Sequence, residues 1–287
     1  MFDLTPEHDF LVGIDSDGCV FDTMEVKHKE CFIPNIINSY ELQGISKYAR
    51  EAAEFVNLYS KSRGINRFPA LIEALEWLQK RPEVAARGIE IKIPPGLVKW
   101  LKEETRLGNP ALKSAVEKSG DPDLKQAYAW SVAVNDSVEK IVRGVPPFPY
   151  VREALSKLHG KADMIVCSAT PNEALKREWE EHKVDHFVRE ICGQEVGTKK
   201  EILQVGKKYP AGHVLMIGDA PGDHKAAVAN DALFFPINPG SEDSSWKNLL
   251  DEGIDRFLNG TFAGDYQKKL LAEFDKCLPA LPPWPVR

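Results

Sequence analysis

The chain has 287 residues, with 43 acidic against 37 basic side chains, a formal net charge of −6, and 43% hydrophobic and 28% charged residues. This is the composition of a soluble globular protein long enough for about two domains. Without a basic excess there is little to grip a nucleic acid by its phosphates, and no apolar run approaches the roughly 20 residues that cross a bilayer. Neither nucleic acid nor membrane is expected as a partner.

Residues 1–7 carry acids and Pro6 where an export signal would place basic residues before an apolar run. Cys19, Cys31, Cys167, Cys192 and Cys277 form an odd set with no CxxC pair. Neither a disulfide framework nor a cysteine zinc site is suggested, and the expected location is the reducing cytoplasm.

Residues 9–14 form an apolar run of buried-strand type that leads straight into Asp15-Ser16-Asp17-Gly18, where the glycine allows a sharp turn. From about Asp22 to Gly144 the pattern is helical and lacks strand runs; residues 70–78 repeat apolar side chains at helical spacing. Pro69, Pro82, Pro94-Pro95, Gly108 to Pro110 and Gly120 to Pro122 punctuate it into several helices. This predicts a helical unit inserted into another domain. After residues 145–149 the chain alternates. A helix over about 151–158 leads to the apolar run 164–167; further helices separate the runs 187–191, 213–218 and 232–237. Short buried strands separated by helices predict an α/β fold, a parallel sheet covered on both faces, with residues 9–14 as one of its strands. Past Asn238 come a loop, two helices and a proline-rich tail from Leu278 to Arg287.

Open parallel sheets bind ligands beyond the carboxyl ends of their strands. At those positions lie Asp15 and Asp17, then Ser168, then Asp219, with Asp223 four residues further on. Residues two apart on an extended segment face one side, so Asp15 and Asp17 can approach a single ligand. Four carboxylates at one rim repel unless a cation joins them, and hard oxygen ligands without His or Cys favour Mg²⁺ over zinc. Thr170-Pro171-Asn172-Glu173 has Thr as cap and Pro at the first helical position, which sets Ser168 just ahead of a helix N-terminus, a place that attracts anions. Thr198-Lys199-Lys200-Glu201 is a capping-box pattern that puts two lysines where the helix dipole disfavours cations, so a negative partner is expected there.

In this order and separation the residues resemble the haloacid dehalogenase-like superfamily of phosphohydrolases. Asp15-Ser16-Asp17-Gly18-Cys19 matches its first motif, Ser168 its second, Lys199 its lysine with Lys200 as the nearby alternative, and Gly218-Asp219-Ala220-Pro221-Gly222-Asp223 its closing acidic motif. Phe148-Pro149-Tyr150-Val151 is similar to the family's usual return from a helical cap, and Cys19 stands where the family usually has threonine. The resemblance implies a Rossmann-like core over residues 1–21 and 146–287 and a helical cap over 22–145.

It also implies a Mg²⁺-dependent phosphatase acting on a small phosphorylated metabolite through an aspartyl-phosphate, as a monomer or homodimer. Asp15 would be the nucleophile and Asp17 the acid and base. Ser168 would hydrogen-bond a phosphoryl oxygen and Lys199 offset its charge, while Asp15, the Asp17 carbonyl, Asp219 and Asp223 would hold Mg²⁺. Asp17 separates the chain from relatives with an aromatic residue or alanine there, which act on halides or phosphonates, and leaves a phosphomutase as the alternative. A signalling protein phosphorylated on Asp15 and a non-catalytic binding protein are further alternatives. Lys27, His28, Arg63 and Arg67 of the helical stretch are candidates to bind a second anionic group of the substrate, against the ordinary reading of a solvated helix face.

Overall fold

A computed structural model describes residues 2–286; Met1 and Arg287, the outermost residues of the ranges above, lie outside them. The chain divides into two compact units, one built from residues 2–24 and 143–278, the other from residues 25–142 and 279–286.

The first unit holds a five-stranded sheet: β1 (Leu11–Ile14), β2 (Asp163–Cys167), β3 (Glu190–Cys192), β4 (Val214–Gly218) and β5 (Leu233–Pro236). All pairings are parallel, in the order β3-β2-β1-β4-β5. The side chains alternate between two buried layers. Val12, Ile14, Val166, Leu215 and Ile217 face a layer containing Leu155, Trp179, Trp246 and Phe257. Leu11, Ile165, Cys167, Met216 and Phe234 face another, with Leu203, Ala227 and Phe274. Period-2 alternation with both faces buried explains why these runs read as uninterrupted apolar segments. The order reverses at β1: the chain moves to β2 and β3 on one side, then returns to β4 and β5 on the other. Ile14 pairs with Val166 and with Ile217, which puts the residues after β1, β2 and β4 along one edge.

β3 differs from the expected run 187–191. Residues Asp185–Phe187 form a 3-10 turn and the strand begins at Glu190, because Arg189 ties the entrance: its N–H donates to the Met164 carbonyl and its guanidinium reaches Asp163.

The second unit is helical throughout, around a core that includes Phe55, Phe68, Leu71, Leu75, Trp100 and Trp130. Its prolines open helices more than they end them. Pro82, Pro95 and Pro122 are first residues of their helices and Pro110 is the second of Asn109–Ser119, positions whose N–H has no helical partner to lose. Pro69 sits in the first turn of the helix Arg67–Gln79. The tail departs from the ranges expected above, since residues 279–286 group with this unit. The Trp284 ring packs edge-on against Phe55 at 5.5 Å and under the Arg81 guanidinium at 4.4 Å, and the Lys61 N–H donates to the Pro279 carbonyl. Among the described residues no helix is long and apolar enough to cross a membrane, and all five cysteines are free thiols.

Candidate active site

The site is assembled from strand ends of the α/β unit. Asp15 follows β1 directly and its backbone N–H donates to the Ile217 carbonyl of β4, so the sheet ladder itself fixes the first acid. Gly18, at a φ of +74°, then turns the chain so that its N–H donates to the Phe21 carbonyl. Two buried indoles hold this loop: Trp179 Nε1 donates to Ser16 Oγ at 3.0 Å and Trp246 Nε1 to the Cys19 carbonyl at 2.7 Å.

Asp219 follows β4, and Asp223 lies in the first turn of the helix Pro221–Val228. Asp223 Oδ2 accepts the N–H groups of Asp219 at 3.1 Å and Ala220 at 3.0 Å, which closes the strand-to-helix turn on itself. That geometry requires Gly218. A Cβ there would lie 2.5 Å from the Asp223 side chain.

Asp15, Asp219 and Asp223 are 5%, 1% and 0% exposed, and one carboxylate oxygen from each lies within 4.8 Å of the others. Into this cluster reaches Lys199, whose Nζ is 2.6 Å from Asp15 Oδ2 and 2.5 Å from Asp223 Oδ1. Lys199 is therefore the lysine of the constellation. Lys200 is exposed, and its carbonyl accepts from the Asn230 side chain. The capping box is formed, with Thr198 accepting from the Glu201 N–H and Glu201 from the Thr198 N–H; the expected negative partners of the lysine are Asp15 and Asp223.

Burial raises the Asp15 pKa well above the usual carboxylate range; Lys199 opposes the rise, while Asp223 and Asp219 add to it. Burial acts to deprotonate Lys199, but Asp15 and Asp223 outweigh it and the ammonium is held more firmly protonated than usual. Asp15 and Asp223 share the Lys199 ammonium, and the Asp219 carboxylate lies beside them. The donor set is all oxygen, and this fits a hard divalent cation such as Mg²⁺. The carboxylate of Asp17 is outside this cluster, so of the expected ligands it is the one that would contribute through its backbone carbonyl.

The Asp17 carboxylate is held by two hydroxyls: Thr23 Oγ1 donates to Oδ1, and Thr170 Oγ1 donates to Oδ2 at 2.6 Å. Sequence reasoning missed both. Thr23 carries no pattern that links it to Asp17. Thr170 reads as a helix cap, but the helix runs Asn172–Glu181 with Pro171 at the cap position, and the hydroxyl serves Asp17.

Ser168 is buried just past β2, its N–H donating to the Cys192 carbonyl and its Oγ accepting from the Thr170 N–H at 3.2 Å. Cys19 is also buried. Burial, then the charges of Asp219, Asp15 and Asp223, push its thiol well above the usual range, which keeps it neutral and unreactive.

The other candidates lie in the helical unit. Lys27 and His28 begin a π-helical segment, Lys27–Phe32, where His28 is buried against the Phe32 ring. Arg63 is buried and donates from Nη1 to the Leu58 carbonyl. Arg67 donates from Nη1 to the Ser131 carbonyl and hydroxyl and to Asn135 Oδ1.

The strand-end acids, the lysine between them and the reversed strand order describe a ligand site at the topological switch point of an α/β sheet. The sequence model of the haloacid dehalogenase-like hydrolases matches residues 11–231, and the chain belongs to that family. No curated protein matches it significantly. Among solved structures, a haloacid dehalogenase-like family hydrolase from Xanthomonas campestris is 11% identical, with 91% of this chain and 96% of that one covered and a TM-score of 0.45. A protein proposed to be a phosphoglycolate phosphatase, from Lactobacillus delbrueckii subsp. bulgaricus, is 15% identical over 93% and 98%, also with a TM-score of 0.45. The HAD-type protein YfnB of Bacillus subtilis, solved bound to magnesium, is 13% identical over 85% and 100%, with a TM-score of 0.47.

Proposed function

We propose that the protein is a Mg²⁺-dependent hydrolase of small phosphate monoesters that works through an aspartyl-phosphate on Asp15. The observation that carries this reading is the meeting of Asp15, Asp219 and Asp223, the first and last of them on the Lys199 ammonium, with an acid held by hydroxyls two residues beyond Asp15.

Asp15 attacks phosphorus while the ester oxygen leaves, so one difficult displacement becomes two easier ones. Lys199 orients the attacking carboxylate and offsets charge on the phosphoryl oxygens, and Ser168 donates a hydrogen bond to one of them. Asp17 gives its proton to the departing oxygen, then takes one from the water that cleaves the aspartyl-phosphate. The hydroxyls of Thr23 and Thr170 keep its carboxylate in one orientation for both transfers. Asp15, the carbonyl of Asp17, Asp219 and Asp223 would hold Mg²⁺. The ion, when bound, supplies positive charge to a phosphoryl group that its carboxylate neighbours would otherwise repel.

The test is phosphate release from p-nitrophenyl phosphate and a panel of phosphorylated metabolites, with Mg²⁺ or EDTA, using Asp15→Asn as control. Turnover that needs both Mg²⁺ and Asp15 is the expected result. Isomerised product without phosphate release would replace the hydrolase by a mutase, and a stable phosphoprotein without turnover would replace it by a signalling protein.

A further inference from the structure

Arg67 is a half-buried cation in neutral company. Its Nη1 makes three hydrogen bonds, at 3.2 Å to the Ser131 carbonyl, 3.0 Å to Ser131 Oγ and 2.7 Å to Asn135 Oδ1. The face of the guanidinium lies over the Phe32 ring, 5.0 Å from its centroid, and Ser131 is itself oriented by donating to Asn109 Oδ1 at 2.6 Å. Each of these partners is uncharged, and among the described residues no carboxylate lies within ion-pair distance of Arg67.

The contrast with other arginines and lysines removed from solvent is direct. Arg81 faces Glu51, Arg189 faces Asp163, and Lys199 faces Asp15 and Asp223. Arg67 also opens the helix Arg67–Gln79, where the backbone dipole disfavours positive charge. Burial pulls its pKa down to about 10, with no charge acting to restore it. A guanidinium clamped in one orientation, with one nitrogen occupied and its Nε and Nη2 edge available as a two-pronged donor, matches the geometry of a planar or tetrahedral oxyanion.

We propose that Arg67 is an oxyanion-binding residue of the helical unit, taking a carboxylate or phosphate group through its Nε and Nη2 edge. Two sources share that chemistry: a second anionic group carried by the phosphorylated substrate, or a free anion. The substrate source rests on the phosphohydrolase reading above; the binding itself does not.

The experiment uses the full chain in EDTA. The Nε–Hε NMR signal of Arg67, identified by its loss in Arg67→Lys, is followed while malonate or inorganic phosphate is added against matched chloride. A saturable shift is expected with at least one of the two, and calorimetric affinity should fall about tenfold or more in Arg67→Gln. Arg50→Ala, which removes an exposed cation of the same unit, should retain it. An Arg67 signal that moves no further than in chloride overturns the proposal, as does equal affinity in Arg67→Gln and Arg50→Ala; the first readout uses the unaltered protein and does not depend on a variant folding.

Kinetics then separate the sources. If the preference for acid-bearing over neutral phosphate esters falls about tenfold in Arg67→Gln, the anion belongs to the substrate. An unchanged preference alongside lost binding assigns the site to a free anion. Absence of turnover on every ester sinks the hydrolase reading and leaves the binding result standing.

Discussion

One ammonium bridges two strand ends: Lys199 Nζ sits 2.6 Å from Asp15 Oδ2, after β1, and 2.5 Å from Asp223 Oδ1, in the first turn of the helix after β4. Replacing it with methionine keeps the volume and removes the ammonium that Asp15 and Asp223 face. Without divalent metal, Lys199→Met should lose on the order of 3 kcal/mol of stability, read by urea unfolding. Saturating Mg²⁺ should recover much of that loss, but not phosphate release, which should stay about 100-fold or more below the parent. In the parent protein, Mg²⁺ at about 100 times its Kd should add about 2.7 kcal/mol. Thermal melts check this, and an equal gain in Asp219→Ala would argue against the cluster as the metal site.

Gly218 tests the turn that carries the acids. A methyl at this position would lie 2.5 Å from the Asp223 side chain, whereas one at Gly222 meets nothing within 4 Å. Gly218→Ala should cost about 1–3 kcal/mol and weaken the melting response to Mg²⁺. Gly222→Ala, on the helix that carries Asp223, should be neutral or stabilising by up to about 1 kcal/mol. Melting both variants with and without Mg²⁺ measures the difference.

Thr170 should matter for turnover and little for folding. Thr170→Val keeps the shape and removes the donor to Asp17, so kcat for phosphate release should fall about 10- to 100-fold with a smaller change in KM. Thr170→Ser, which restores the hydroxyl, should recover most of it. Steady-state kinetics of the three proteins decide; identical kcat in the valine and serine variants would remove the positioning role.

At the opposite end of β2, Asp163 contributes to acid stability. Its carboxylate accepts from Tyr209 at 2.7 Å, from His8 Nδ1 at 3.0 Å, from Arg189 at 2.9 Å and from the Glu7 and His8 N–H groups. Burial acts to raise its pKa, but the hydrogen bonds from His8, Tyr209 and the backbone prevail and lower it from 3.8 to about 2. A carboxylate held lower in the folded chain than in the unfolded one stabilises the fold above its unfolded pKa, and that contribution is lost as pH falls toward about 2. The stability gap between the parent and Asp163→Asn should be about 2 kcal/mol near pH 6 and should narrow below pH 4. Urea titrations at a series of pH values measure it.

The strand-end acids were legible because buried parallel strands leave a simple signature and their carboxyl ends are where ligands go. Asp15, Asp219 and Asp223 could be set at one rim before any coordinates. The choice between Lys199 and Lys200 was not legible, since both occupy the same capping-box turn and only the direction of the side chain separates them. Thr23 and Thr170 escaped because a hydroxyl has many local uses and a loop contact 153 residues apart has no period. The destination of the tail escaped for a related reason: a proline-rich segment with a single large aromatic has no periodicity to declare which surface it covers.

That tail has a consequence for how the protein is made. Trp284, which covers Phe55 and Arg81 of the helical unit, leaves the ribosome only after all five strands have been translated. The helical unit begins earlier in the gene than four of those strands, yet the last ring of its aromatic cluster is translated after them all. A stop codon placed after Leu278 would spare every strand and every site acid while removing the ring that covers Phe55 and Arg81.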